Sequence, residues 1–462
     1  MKLRILNILA CLFVTACAIT SCLGDDTIEY EYSSDASIIA FSIKDSIITY
    51  YPATTENGTD TTLSFAVIGS DYPFVINQHE GLIYNQDSLP VGTDISKVVL
   101  NITADTYGIY IAAETDSIWE ETDSLSFEKP IHFKVMAENG IFGRTYKAVI
   151  NVHQQDPEKM TWQLMDSNFP TNIKKQKAVY MNDCVYVFAE QTGQVAVTMT
   201  KTDDAKTWTP LKAINIPTKA DYSSVMAWGN QLYILAGGEL YLSNDGQDWT
   251  KAETTQTFSR LLANVHSQYN QKIMGVDMKN CYLESADGIN WTSVETLPAN
   301  FPTKQTSFIS YPLATNSQID RIVLVGENPK EADTTSVVWA QLTVENKWTE
   351  LYPTNHSDAC PNLANASIIR YDGSLYTFGG EHQANKTAKQ FGLFFESKDN
   401  GITWAANDDN MIFPEEFKTL YDKSKGNYSY IVDEDQFIWI MWSYSGEVWK
   451  GRLNKFGFQD YK

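Results

Sequence analysis

After residue 36, short apolar runs follow one another along the first third of this chain, either β-branched or alternating with polar residues. Residues 37–43, 62–68, 97–102, 131–137 and 145–152 read as strands by their period-two alternation and β-branched content. Glu138-Asn139-Gly140 sits between two alternating runs and signals a hairpin, because asparagine and glycine accept the positive φ of a tight turn. Roughly five to eight short strands in about 115 residues predict an immunoglobulin-like β-sandwich, here over residues 37–154.

From residue 158 onward the pattern repeats. A tryptophan followed by a polar or small residue recurs at Trp162, Trp208, Trp249, Trp291, Trp348 and Trp404, at intervals of 46, 41, 42, 57 and 56 residues. Between these positions lies a short apolar strand: Val185-Tyr186-Val187-Phe188, Leu232-Tyr233-Ile234-Leu235, Ile273-Met274-Gly275, Ile322-Val323-Leu324-Val325, Leu375-Tyr376-Thr377-Phe378 and Phe437-Ile438-Trp439-Ile440-Met441. A strand and turn precede each copy and a third strand follows it. Six copies of a unit of about 40–50 residues predict a six-bladed β-propeller, over residues 158–462. The fold class is therefore all-β, a sandwich followed by a propeller. The ring has two ways to close. Trp162-Gln163-Leu164-Met165 would supply the outer strand of the last blade and leave no exposed edge; alternatively, Lys455-Phe456-Gly457-Phe458 fills that place.

Three turns leading to these tryptophans share their chemistry: Ser243-Asn244-Asp245-Gly246, Ser285-Ala286-Asp287-Gly288 and Ser397-Lys398-Asp399-Asn400-Gly401. Carboxylate and hydroxyl can accept backbone N–H groups of the turn, and tryptophan can fill the gap between neighbouring sheets. Their role reads as structural.

Charge narrows the partners. The net charge is −22, which repels phosphate backbones and excludes nucleic acid. Residues 22–153 alone carry 20 acidic and 6 basic side chains. Cys184, Cys281 and Cys360 are an odd set, incompatible with a full disulfide framework; Cys184 and Cys281 lie in apolar runs and read as small buried hydrophobes. His79, His132, His153, His266, His356 and His382 are scattered, so neither a zinc site nor another cofactor is expected.

The amino terminus carries an address. Lys2 and Arg4 precede an apolar stretch over residues 5–19, then Thr20, Ser21 and Cys22. This is the pattern of a signal peptide over residues 1–21, too short for a membrane span of about 20 residues. Residues 22–36 form an acidic spacer. Ala18-Ile19-Thr20-Ser21-Cys22 resembles a bacterial lipobox, loose at its first position, and Asp25-Asp26 resembles the surface-export signal of Bacteroidota lipoproteins. The resemblance implies a lipid on Cys22, an outer-membrane anchor and a chain facing the cell exterior. Asp45-Ser46-Ile47, Asp60-Thr61-Thr62 and similar triplets resemble the O-glycosylation sequon of that phylum; the same dipeptides favour turns, and both readings stand. Gly237-Gly238 and Gly379-Gly380 resemble the kelch double glycine, and Ser397 to Trp404 resembles a complete Asp box. The whole chain resembles Bacteroidota surface lipoproteins with an immunoglobulin-like domain and a kelch-like propeller. That resemblance implies a stalk and a binding head, with no settled activity.

The candidate site is the propeller face that gathers the loops after each second strand. Five copies place a carboxylate there, Glu190, Glu239, Asp277, Glu327 and Glu381, and the sixth places Trp442 and Tyr444. Carboxylates beside an aromatic platform suit sugar hydroxyls and a sugar face; a ring of carboxylates also suits Ca²⁺. The same acids on an acidic protein also suit solvated turns. Residues 327–335, 381–390 and 407–428 lengthen the loops on this side, where recognition concentrates. A sialidase needs an arginine cluster; the propeller has Arg260, Arg321, Arg370 and Arg452 without the accompanying motif. A kelch-like copper oxidase needs paired histidines, which His266, His356 and His382 do not form. The leading expectation is a non-catalytic binding protein for glycan or a surface protein. A glycoside hydrolase or lyase using the same carboxylates, and a structural subunit of a surface complex, are the alternatives.

Overall fold

The computed structural model describes residues 31–54, 59–217, 220–304, 306–329, 336–381 and 391–457, without the side chains of Ala53, Thr54, His356 and Glu381. The signal peptide, Cys22, most of the acidic spacer, and parts of the 327–335 and 381–390 loops lie outside the described residues. The chain is all-β and divides into two compact units, meeting in sequence at Gln155 and Asp156.

In the first unit the hairpin predicted at Asn139-Gly140 joins Ile131–Met136 to Phe142–Val149, with Ile131 opposite Ala148. Along Ile131–Met136, Phe133 and Val135 point into the core while His132 and Lys134 do not, the alternation that a pleated strand imposes. This pair is the centre of a six-stranded mixed sheet, in which Leu82–Asn85 runs parallel to Phe142–Val149. Ile38–Ile43, Val98–Ala104 and Ser124–Leu125 form a three-stranded sheet, and Ser46–Thr54 pairs with Asp60–Ile68. Ile38, Ile83, Val98, Leu100, Phe133 and Ala148 share one core, each with no exposed surface. Buried Asn85 is satisfied there: it accepts from the Asn151 N–H at 2.6 Å and donates to the Asp87 and Asn151 carbonyls.

The second unit contains six four-stranded antiparallel sheets among the described residues. Each begins with an inner strand: Gln176–Met181, Ala220–Trp228, Phe258–His266, Ser307–Leu313, Leu363–Tyr371 and Tyr428–Val432. Residues from all six line a single axial cavity of about 340 Å³, so the sheets surround one axis. The short apolar repeat is the second strand of each sheet. Both of its faces are covered by neighbouring sheets, which is why Val185 to Ala189 and Ile438 to Trp442 are apolar throughout rather than alternating. Met160–Met165 is the fourth strand of the last sheet, with Trp162 opposite Gly451. Of the other candidate, residues 455–458, the first three lie in a 3-10 turn, Asn454–Gly457, and Phe458 lies outside the described residues.

The recurring tryptophans fill the seams between sheets. Trp249 packs edge-on to Phe188 of the preceding sheet at 5.6 Å, and Trp208 to Phe169 at 4.7 Å. In the turn before Trp249, Asp245 Oδ1 accepts the N–H groups of Gln247 and Asp248, both at 2.9 Å. Ser243 Oγ accepts the Gly246 N–H, and the Trp249 indole N–H donates back to the Gly246 carbonyl. Gly246 has φ +73°, a conformation that a side chain would strain. The turns at Asp287 and Asp399 repeat this network.

Two expectations need correction. Residues 407–428 do not form a free recognition arm. They contain an α-helix, Glu416–Lys423, whose Phe417 and Leu420 are buried against Phe391, Phe413 and Trp442. Apolar side chains three residues apart share one face of the helix and draw the segment onto the core. Cys184 and Cys281 are half-buried rather than buried, because their strands place them at sheet ends; Cys360 is the buried thiol.

Candidate functional site

Each inner strand starts on the face that also carries the loops after the second strands, because antiparallel neighbours bring these ends together: Glu190 N–H donates to the Lys175 carbonyl, Phe258 to Gly238 and Glu327 to Lys304. On this face the axial channel opens into a mouth of about 440 Å³. Its wall is mainly polar backbone and side chain from the inner strands, including Lys175, Gln176, Asp221, Tyr222, Asn427 and Ser429.

Hydroxyls tie together the inner strands of the last three sheets. Tyr428 Oη lies 2.7 Å from Ser367 Oγ and donates to the Asn365 carbonyl. Tyr430 Oη lies 2.8 Å from Ser307 Oγ and donates to the Ile368 carbonyl. Burial raises both phenols above their ordinary range. At the rim, burial and then the Glu190 carboxylate push Tyr222 up to about 12. Asp221 Oδ1 accepts the Ser223 N–H at 2.9 Å and its hydroxyl at 2.7 Å. Lys177 lines both the mouth and the deeper cavity, and burial alone depresses its ammonium below the usual lysine range.

The carboxylates singled out in the sequence do not gather into a ring. Glu190 lies beside the mouth, 3.9 Å from Lys175 Nζ. Glu239 turns to the outer strand of its own sheet and meets Lys251 at 2.5 Å, which holds its carboxyl below the usual range. Asp277 is a turn cap, accepting the N–H groups of Lys279 at 2.7 Å and Cys281 at 2.8 Å. Glu327 is half-buried, and the side chain of Glu381 lies outside the described residues. Trp442 offers no platform: its ring has no exposed surface, because Phe391, Phe417 and Tyr428 enclose it. Tyr444 is half exposed. The channel side chains escaped the sequence reading because they sit on strands counted as core. A signal existed: Ser223, Ser307, Ser367 and Ser429 recur on four of the inner strands, where a purely structural strand would carry apolar residues.

Residues 156–461 match the DUF6242 beta propeller domain, and residues 41–150 match the DUF6242 N-terminal domain, described as a domain of unknown function. The chain belongs to the DUF6242 family. Solved structures similar to this DUF6242 chain include the α-L-arabinanase of Penicillium chrysogenum complexed with arabinobiose, at 11% identity and TM-score 0.40, covering 64% of this chain and 99% of that one. An inactive virginiamycin B lyase of Staphylococcus aureus with quinupristin is 11% identical over 75% of this chain and 95% of that one, with TM-score 0.36. The α-L-arabinofuranosidase of Fusarium graminearum is 11% identical over 64% and 98%, with TM-score 0.38. No curated protein matches this DUF6242 sequence.

Proposed function

We propose that this chain is a non-catalytic binding protein that takes a glycan into the mouth of the axial channel. In this reading the six sheets are the blades of a closed propeller, the head of the molecule. The first unit is an immunoglobulin-like stalk, and Cys22 carries a lipid that anchors the chain in the outer membrane with the head outside the cell.

The observation that carries the reading is the mouth itself. It is a concave site with donors and acceptors on rigid strands and the half-buried Tyr222 ring at its rim, the combination that binds sugar hydroxyls and a sugar face. The alternative of paired-carboxylate hydrolysis needs two acids about 5–9.5 Å apart flanking the bond. Among the described lining residues of the mouth there is one carboxylate, Asp221, and it is engaged by Ser223.

The test is a glycan array probed with the full chain in detergent, followed by calorimetry on the hits. Tyr222→Ala is expected to weaken binding at least about 10-fold, in line with loss of a stacking contact and its packing, with the saccharide recovered intact. Release of new reducing ends refutes the non-catalytic part. Silence on every glycan refutes the glycan, and leaves a protein ligand as the occupant of this face.

A further inference from the structure

We propose that the ligand is an acidic glycan, and that its carboxylate is recognised by the Lys177 ammonium in the channel; the inference rests on the glycan reading above. The chain carries 57 acidic and 35 basic side chains, yet the channel reverses this balance. The charged residues lining its two cavities are Lys175, Lys177, Arg370 and Asp221. Three of the four are already occupied. Lys175 faces Glu190, Arg370 stacks 4.8 Å over the Tyr311 ring, and Asp221 is held by Ser223. The Lys177 ammonium forms no ion pair or hydrogen bond among the described residues. An ammonium partly withdrawn from water without a counter-charge costs stability. A protein with this surplus of carboxylates has many ways to supply one, and here none is supplied.

The surroundings fit an acid sugar rather than a bare ion. The mouth that Lys177 lines also carries the half-buried Tyr222 ring, which suits a sugar face. Lys177 lies where the mouth meets the deeper cavity. A cation for the carboxylate and a ring for the sugar face are therefore placed in one cavity.

Three probes are titrated calorimetrically into the full chain in detergent: trigalacturonate, its methyl ester, and citrate as a carboxylate without a sugar. The acid is expected to bind at least about 10-fold more tightly than the ester, a typical margin for a charge-assisted contact. Lys177→Met is expected to abolish the preference for the acid over the ester, and Lys177→Arg to restore it. Thermal midpoints of both variants no lower than wild type exclude misfolding as the cause. Equal binding of acid and ester, or a preference that survives in Lys177→Met, overturns this inference while the glycan reading stands. Lys177-dependent citrate binding with neither saccharide bound overturns the glycan reading and keeps the anion site. No binding of any probe overturns both.

Discussion

Among the contacts that hold Met160–Met165 on the last sheet is one that can be broken from either side. The Trp162 indole lies over Gly451 of the neighbouring strand, donates to the Ile412 carbonyl at 2.9 Å, and packs on Phe413 at 5.7 Å and Phe417 at 5.2 Å. A methyl group on Gly451 would stand 2.5 Å from Cε3 and 2.6 Å from Cε2 of that indole, well inside contact distance. Trp162→Ala should therefore cost about 3 kcal/mol, the lower end for a tryptophan truncation because the ring is half-buried. Gly451→Ala should cost about 2 kcal/mol by overpacking. The two costs share one cause, so the double variant should lose about 3 kcal/mol, since the new methyl enters space that the indole has left. Equilibrium urea unfolding of the full chain, followed by circular dichroism with unchanged slopes, measures all three. If the double variant loses the sum of the single losses, the indole does not cover Gly451, and Met160–Met165 is not the strand that completes the last sheet.

The other consequences are local. Burial alone would raise the Asp399 carboxyl, but hydrogen bonds from Thr403, Ser397 and Ile402 outweigh it and hold the group below its ordinary range; Asp399→Ala should cost about 2 kcal/mol at pH 7. Because the folded value is the lower one, that stability is present above the ordinary carboxylate range and is lost as pH falls toward the depressed value, so a wild-type-to-variant gap that persists at pH 2 contradicts the assignment. Lys177 has the opposite sign. Its folded value lies below the ordinary one, so the charged form weighs against folding at neutral pH, and Lys177→Met should gain about 1 kcal/mol there. That gain should shrink as pH rises through the depressed value toward that of a free lysine, and a pH-independent gain in urea titrations would mean that the ammonium is not the cause. Burial pushes the Cys360 thiol far above the usual range, so native iodoacetamide labelling read by peptide mass should leave Cys360 unmodified until unfolding; rapid labelling in the native chain would contradict its burial.

What could be read in the sequence were positions with a forced environment. A tryptophan that must fill a seam, and a strand covered on both faces, leave patterns at fixed offsets, and Trp249 beside Phe188 or the unbroken run from Ile438 to Trp442 are their outcomes. Pairing choices were less legible. The closing strand had two candidates because alternation says which face a residue takes and not which edge accepts it; the missing term was Gly451, whose lack of a side chain makes room for Trp162 alone. The parallel pairing of Leu82–Asn85 with Phe142–Val149 has no short-range signature, since no turn joins the two strands.

The acids of the candidate face diverge for a related reason. Their position after the second strands puts them on one face, but a side chain there first satisfies what lies nearest. Asp277 has two turn N–H groups within 2.8 Å and Glu239 has a lysine across its own sheet, so neither is free to converge on a ligand. The side chains that do converge belong to strands whose other residues are core, where a polar group is costly unless it has a partner. That cost separates the two sets. An exposed turn acid contributes whether or not a ligand exists, whereas the unpaired Lys177 ammonium weighs against folding until a counter-charge enters the channel. An unpaired ammonium lining a cavity is better explained by an occupant than by packing, and the occupant it defines carries negative charge.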